Sequence, residues 1–352
     1  MAELDPIIGE TPPFWWRRPG WQAWLLAPAA LVYGRLAARR LHRRGTLAFE
    51  LPVIRVASLA VGARGDTEVA IALATAARRL GMRPGIAATG PAGAFAAPHM
   101  VDRHHDVARH TGDEALQLAR AAPTALCGDL VAAARALAAD GVDLVIALDG
   151  DGAARLRPDY TLAVVDTERG LGNGHLVPAG PVRAPLVDQL RQASALLTLG
   201  RGDAADRVVR IAARAARPLL QAALRPRAGI DLGGRRWLAF AGVADCEQFF
   251  DMVRQAGGDI AAARSYREGH LYADDELGDL AALADAQDLS VVTSTRDAER
   301  LHHGTEAAAA LRRRAVALET EMVFDVADVP DTVIRDAIET FRARRFSAPG
   351  RR

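Results

Sequence analysis

Between residues 46 and 200 the chain alternates short apolar runs with longer stretches of helical character. The apolar runs predict strands over Val53–Leu59, Arg83–Ala88, Thr124–Leu126, Leu144–Leu148, Tyr160–Val165 and Ala195–Thr198. Runs without polar alternation suit parallel strands covered on both faces. Helices are predicted over Val69–Leu80, Asp113–Ala122 and Leu130–Ala139. Strands and helices alternating at this spacing predict an α/β fold with a parallel sheet flanked by helices. Residues 201–227, rich in arginine and alanine, read as helical. A smaller α/β unit follows from Gly229: strands Trp237–Ala241, Asp259–Arg264 and Ser290–Thr293, and helices Cys246–Ala256 and Ala273–Gln287. Asp328–Arg345 reads as a closing helix. The pattern divides the chain into an N-terminal segment 1–45, a larger domain 46–228 and a smaller C-terminal domain 229–352.

The N-terminal segment has a different pattern. Trp15, Trp16, Trp21 and Trp24 fall within ten residues and lead into an eleven-residue apolar run, Ala23–Tyr33, which includes the last of them and Pro28 and is followed by Arg35, Arg39, Arg40, Arg43 and Arg44. The run is too short for the ~20 residues a membrane span needs. Tryptophans and arginines around a short apolar face predict a helix lying in a membrane interface. The competing reading is a soluble helix that packs its tryptophans on a core.

The stretch Val53–Leu73 concentrates the candidate chemistry. A buried strand, a glycine-containing loop and an alanine-rich helix succeed one another, which is the phosphate-binding layout of P-loop proteins: loop and helix N–H groups face the anion. The motif requires G-x-x-x-x-G-K-[ST]. The aligned residues are Ala60, Val61, Gly62, Ala63, Arg64, Gly65, Asp66 and Thr67. Gly65 and Thr67 match; alanine replaces the first glycine, and Asp66 stands at the lysine position. In open sheets of this class ligands lie beyond the carboxyl ends of the strands, where the loops at 62–67, 89–93, 149–152 and 170–181 fall.

Composition alters this picture in two places. The 44 basic and 43 acidic residues nearly cancel, so no global field argues for a nucleic-acid partner. All the basic side chains other than histidine are arginine, since the sequence has no lysine. A bias of that kind turns lysine into arginine and does not account for aspartate at position 66. Cys127 and Cys246 have no metal-ligand spacing, and two cysteines fit a reducing compartment.

Several blocks together resemble the tetraacyldisaccharide 4'-kinase (lipid A 4'-kinase) family: PPFWW with LLAPAALVYGRL near the N-terminus, VIRVASLAVGARGDT, GDEALQLAR at 112–120, the Asp149-Gly150 pair, RLRPDY at 155–160, VVDTERGLGNGHLVPAGPVRAPL at 164–186, FAGVADCEQFF at 240–250 and STRDAERL at 294–301. The most specific is RGLGNGHLVPAGPVR. The resemblance implies a P-loop fold at the cytoplasmic face of the bacterial inner membrane, in a peripheral or monotopic attachment. It also implies transfer of the ATP γ-phosphate to the 4'-hydroxyl of a tetraacylated glucosamine disaccharide 1-phosphate, with Mg²⁺. By that resemblance Ala60–Thr67 is the nucleotide cradle, Thr67 and Asp149 hold the metal, and Asp113 is the base. His270, or its neighbour Gly269, stands where the family has a catalytic histidine. Read from the residues alone, Asp113 and Glu114 also make a good helix N-terminus. The departures are Asp66 for lysine, Leu148 for the first carboxylate of an Asp-Asp-Gly pattern, the loss of the serine, arginine and tyrosine of an SRGYGG loop at 88–93, Ala184 for glutamate, and Arg296 for lysine. They leave two readings: a kinase with a remodelled site, or a relative that binds a lipid A precursor without efficient transfer.

Overall fold

The computed structural model describes residues 11–42, 47–62, 65–91, 95–148, 155–302 and 304–347. In chain order, a 3-10 turn at Pro13–Trp16 leads into α1 (Trp21–His42). Next come β1 (Val53–Ser58), α2 (Asp66–Arg79), β2 (Pro84–Ala88), β3 (His99–Met100), α3 (Ala108–Thr111), α4 (Asp113–Ala121), β4 (Thr124–Leu126), α5 (Leu130–Ala139) and β5 (Leu144–Leu148). Then follow β6 (Tyr160–Asp166), α6 (Leu186–Gln192), β7 (Ala195–Leu199), α7 (Asp206–Arg214), β8 (Leu219–Pro226), β9 (Arg236–Ala241) and α8 (Cys246–Gln255). The chain ends with β10 (Asp259–Ser265), α9 (Asp274–Ala286), β11 (Ser290–Ser294), α10 (Thr295–Arg300), α11 (Glu306–Arg314), β12 (Ala315–Leu318), β13 (Thr320–Phe324) and α12 (Val329–Ser347).

Two compact units result. One comprises residues 1–100, 121–223 and 323–352; the other comprises 101–120 and 224–322. The chain therefore passes between them four times, and the last two passages fall inside β8 and β13. This grouping differs from the division read along the sequence: 101–120 joins the smaller unit, and the closing helix joins the larger one.

The large sheet has the order β13-β8-β7-β6-β1-β5-β2-β4-β3. The pairs β1–β5, β1–β6, β2–β5, β2–β4, β6–β7 and β7–β8 are parallel, and β3 is antiparallel to β4. All six residues of β1 are buried. Val53, Val145 and Ala147 share a core cluster with Leu130, Val131, Ala134 and Leu137 of α5. A second cluster joins Ala163, Val165 and Leu196 to Leu190 of α6 and Val208 of α7. Helix α12 packs on α2, β1 and β6. The buried Asp159 carboxylate ties it down, accepting from the Val53 N–H at 3.0 Å and from Arg344 Nε at 2.9 Å and Nη2 at 3.1 Å.

The smaller unit has a four-stranded parallel sheet, β10-β9-β11-β12. Phe249, Phe250 and Val253 of α8 pack on Trp237, Ala239 and Val292, while Leu277 and Leu280 of α9 pack with Leu238, Phe240 and Val291.

Two expectations are corrected. Residues 201–227 are helical only over α7. Pro218 cannot continue a helix, and Leu219–Pro226 forms β8, in register with β7 through Leu196↔Leu219. Helix α2 begins at Asp66, three residues before the expected Val69, so Asp66 and Thr67 are the first two helical residues.

Candidate functional site

Strand β1 lies between β5 and β6 and delivers the glycine loop at its carboxyl end. Gly65 has φ +98, a conformation that favours glycine, and a Cβ there would lie 2.0 Å from Leu199 Cδ1, so that side chain would have to move. The loop is edged by the segment after β6: the Val61 N–H donates to Pro181 O at 2.8 Å, and Ala60 bridges Val182. Thr67 is buried, and no hydrogen bond to its hydroxyl is present among the described residues. The nucleotide-binding expectation thus rests here on Ala60, Val61, Gly62, Gly65, Asp66 and Thr67. Ala63, Arg64 and the metal candidate Asp149 lie outside the described residues.

Asp66 is placed by two forces. It occupies the first turn of α2 together with Glu68, where the positive end of the helix dipole favours an anion. The Ser58 hydroxyl, at the end of β1, donates to its Oδ1 at 2.5 Å. The side chain that replaces the lysine of the motif is therefore engaged from the strand side of the loop.

The loop 166–185 folds around Asn173. Its Nδ2 donates to Ala179 O at 2.9 Å, its Oδ1 accepts from the His175 N–H at 3.0 Å, and its own N–H donates to Trp15 O at 2.7 Å. Buried Trp15 returns an indole N–H bond to Pro178 O at 3.0 Å. A Cβ on Gly172 would lie 2.3 Å from Trp15 O, so this glycine admits the N-terminal turn. The GNGHLVPAGP stretch is thus the seat of the tryptophan-bearing segment. Helix α1 runs unbroken through Pro28 and buries only Ala23, Ala30, Gly34 and Leu41. Trp21, Trp24, Leu25, Leu31, Val32 and Leu36 face outward.

The smaller unit holds Asp113 at the start of α4, in a network that the sequence did not reveal. Asp113 Oδ2 accepts from Arg300 Nη2 at 2.7 Å. Arg300 Nη1 donates to Asp297 Oδ1 at 2.6 Å and to Gly242 O at 2.8 Å. Asp297 is fully buried and also accepts from the Gly242 N–H (3.0 Å), the Tyr272 hydroxyl (2.7 Å) and the Ser294 hydroxyl (2.5 Å). Burial opposes the charge on Arg300, but Asp113 and Asp297 outweigh it and hold the guanidinium above its ordinary range. Burial, reinforced by the Asp297 charge, pushes the Tyr272 hydroxyl up, so it stays a donor. Next to Asp113, Glu114 pairs with Arg296 at 3.0 Å.

His270 borders this network without bonding to Asp113 among the described residues. Its Nε2 lies 2.8 Å from Glu276 Oε2, and its ring stacks on Tyr266 at 4.9 Å and meets Tyr272 edge-on at 5.1 Å. The Ala273 N–H and then His270 hold the Glu276 carboxyl below its usual range. Gly269, with φ +76, faces open space.

Across residues 22–339 the chain matches the family described as "Tetraacyldisaccharide-1-P 4'-kinase". The chain belongs to this family. It is 44% identical over 341 residues to the tetraacyldisaccharide 4'-kinase of Mesorhizobium japonicum, covering 97% of this chain and 99% of that protein. The Agrobacterium fabrum protein of the same name is 46% identical, with 96% and 97% covered. The crystal structure of LpxK from Aquifex aeolicus in complex with ATP superposes with a TM-score of 0.67 at 17% identity, over 90% of this chain and 99% of that one, a likeness of fold. Members of the tetraacyldisaccharide 4'-kinase family are lipid kinases, phosphotransferases of lipid A biosynthesis, and family membership favours that activity here over the transfer-deficient alternative.

Proposed function

We propose that this kinase binds MgATP at the β1–α2 loop and transfers the γ-phosphate to the 4'-hydroxyl of tetraacyldisaccharide 1-phosphate, with Asp113 as the base. The observation that carries the reading is the cradle. A central parallel strand ends in a loop whose Gly65 holds a positive φ that favours glycine, followed at once by a helix N-terminus with Thr67 in its first turn. Backbone N–H groups in that arrangement suit a polyphosphate. The Thr67 hydroxyl, without a hydrogen bond among the described residues, fits a magnesium ligand, and Asp149 is the carboxylate assigned to it. Bound Mg²⁺ supplies neutralisation of charge on the transferring phosphoryl group.

Asp113 is a half-buried carboxylate with one oxygen held by Arg300. Among the described residues no hydrogen bond reaches the other, which suits it to accept the proton of the sugar hydroxyl. His270 is assigned to the edge of that site, oriented by Glu276.

The acceptor is a lipid, and the N-terminal segment is suited to meet it at a membrane. No helix among the described residues is long and apolar enough to cross one. The outward stripe Trp21, Trp24, Leu25, Leu31, Val32 and Leu36, ending in Arg39 and Arg40, fits a helix lying in the interface of an anionic leaflet. The cytoplasmic face of the inner membrane, where ATP is available, is the assigned location. Beside the stripe, an open cleft of about 600 Å³ is lined by Arg17, Arg18 and Arg169 with Trp16 and Glu168, a setting suited to an anionic sugar phosphate.

The test is transfer of the radiolabelled γ-phosphate of ATP to purified tetraacyldisaccharide 1-phosphate in mixed micelles. Magnesium-dependent labelling of the lipid, lost in Thr67→Ala and reduced at least ~100-fold in Asp113→Asn, is the expected result. Absence of labelling by the natural chain would overturn the assignment.

A further inference from the structure

We propose that Arg300 is a positioning residue for phosphoryl transfer: clamped by Asp297 and by the Gly242 carbonyl, it fixes the orientation of the Asp113 carboxylate. This rests on the reading of Asp113 as the base.

Arg300 has a 3% exposed side chain and touches three separate segments: its own helix α10, the loop after β9, and the start of α4. One nitrogen serves the two inner partners and the other serves Asp113. A planar fork divides its donors in this way; an ammonium, a point charge, has no such geometry. Behind it, Asp297 accepts from four donors (Gly242, Tyr272, Ser294 and Arg300) and has no freedom to turn. A Cβ on Gly242 would lie 3.0 Å from Arg267 O, 3.1 Å from Asp297 Oδ1 and 3.2 Å from Arg300 Nη1, so a side chain there would crowd the clamp.

Of the charged members, Asp113 alone reaches solvent, with 17% of its side chain exposed against 3% and 0% for Arg300 and Asp297. The network therefore ends in one accessible carboxylate whose inner oxygen is pinned. A buried ion network is poor evidence of stability, since apolar side chains of similar volume often hold a core as well. An apolar core lacks the means to fix the angle of a carboxylate. Reaction rates depend strongly on that angle, because small misplacements of a reacting group cost large factors.

The experiment uses the full chain and the mixed-micelle assay. Arg300→Lys and Tyr272→Phe are measured alone and in the Asp113→Asn background, with kcat and the KM for MgATP determined separately. Arg300→Lys is expected to lower kcat by about tenfold or more while the KM for MgATP stays within about twofold. Tyr272→Phe, which removes one hydroxyl from Asp297, is expected to lower kcat by a smaller factor. Neither should lower the residual rate of Asp113→Asn further, because groups that act through one another are not additive. Wild-type kcat in Arg300→Lys, or the same fold loss with and without Asp113, would overturn the proposal. If Arg300→Lys does not fold, Tyr272→Phe decides by the same non-additivity criterion. Wild-type kcat in Asp113→Asn would defeat the base assignment and this proposal together. A loss there without a loss in Arg300→Lys or Tyr272→Phe would defeat the positioning role alone.

Discussion

At Asp159 a buried charge met by one of opposite sign, Arg344, ties stability to pH. Burial pushes its carboxyl up, against the opposing pull of the Val53 N–H and Arg344. The folded chain then binds the Asp159 proton more tightly than the unfolded chain. Stability from this group is full below the ordinary carboxylate range and is lost as pH rises through the raised folded value. Arg344→Ala leaves the carboxylate buried without its cation. We expect a loss of about 3–5 kcal/mol at neutral pH in urea unfolding. The deficit should narrow as the pH is lowered, because protonated Asp159 needs no cation. A deficit independent of pH would show that Arg344 contributes through packing alone. Asp66 makes a second residue-scale case. Its charge is welcome at a helix N-terminus but opposes a polyphosphate there. Asp66→Lys exchanges the Ser58 bond for a cation facing the cradle, and ATP affinity measured by calorimetry should rise about tenfold, the equivalent of ~1.4 kcal/mol. Unchanged affinity would place the nucleotide phosphates away from this side chain.

At the scale of elements, α1 has two faces with different tasks. Trp15 and the small residues Ala23, Ala30 and Gly34 bind the segment to the rest of its unit, so cutting away residues 1–44 would remove structural contacts as well as the outward stripe. Replacing exposed side chains is the cleaner test. Leu25→Ser, Leu31→Ser and Val32→Ser together should leave the melting temperature unchanged and lower binding to anionic vesicles by about a thousandfold or more, given ~1.5–3 kcal/mol for each large apolar side chain. Sedimentation with vesicles measures it, and undiminished pelleting would exclude this face as the membrane contact. Legibility in the sequence obeys the same physics. Runs such as Leu144–Leu148 stand out because strands covered on both faces are apolar at nearly every position, and Val53–Ser58 keeps that look despite Arg55 and Ser58. Strand β8 has a mixed pattern with arginine and alanine, and its place between β7 and β13 makes it a strand. Strands β12 and β13 are partly exposed and too short to show a period. Asp113 was visible as the acidic start of a helix. Arg300 was not, since its partner lies 187 residues away and the three-residue spacing from Asp297 is common on any helix. Asn173 and Gly172 were legible only as a distinctive string, and their task of seating Trp15 emerges once the backbone places them.

The whole molecule is built from units that are discontinuous in sequence, which constrains where it can be divided. The larger unit takes strands from 53 to 223 and then waits for residues 323–352 to complete it. Helix α12 brings Val329, Val333, Ile334 and Phe341 into the core, with Arg344 on Asp159 and Asp331 on Arg79. Burial of those four side chains contributes on the order of ten kcal/mol, comparable with the ~5–15 kcal/mol net stability of a typical domain. A chain ending at residue 322 should therefore lose cooperative folding of the larger unit, although it keeps the cradle, the central strands and the entire smaller unit. Fragment 1–228, which looks like a natural domain along the sequence, should fare no better, since it lacks β13 and α12. Far-UV circular dichroism with urea titration distinguishes the outcomes. A cooperative transition in the 1–322 chain at the full-length midpoint would show that the closing helix only decorates the sheet. A broad or absent transition would show that the strand leading into the nucleotide cradle depends on α12, so that this kinase completes its phosphate site only once residues 323–352 have joined the larger unit.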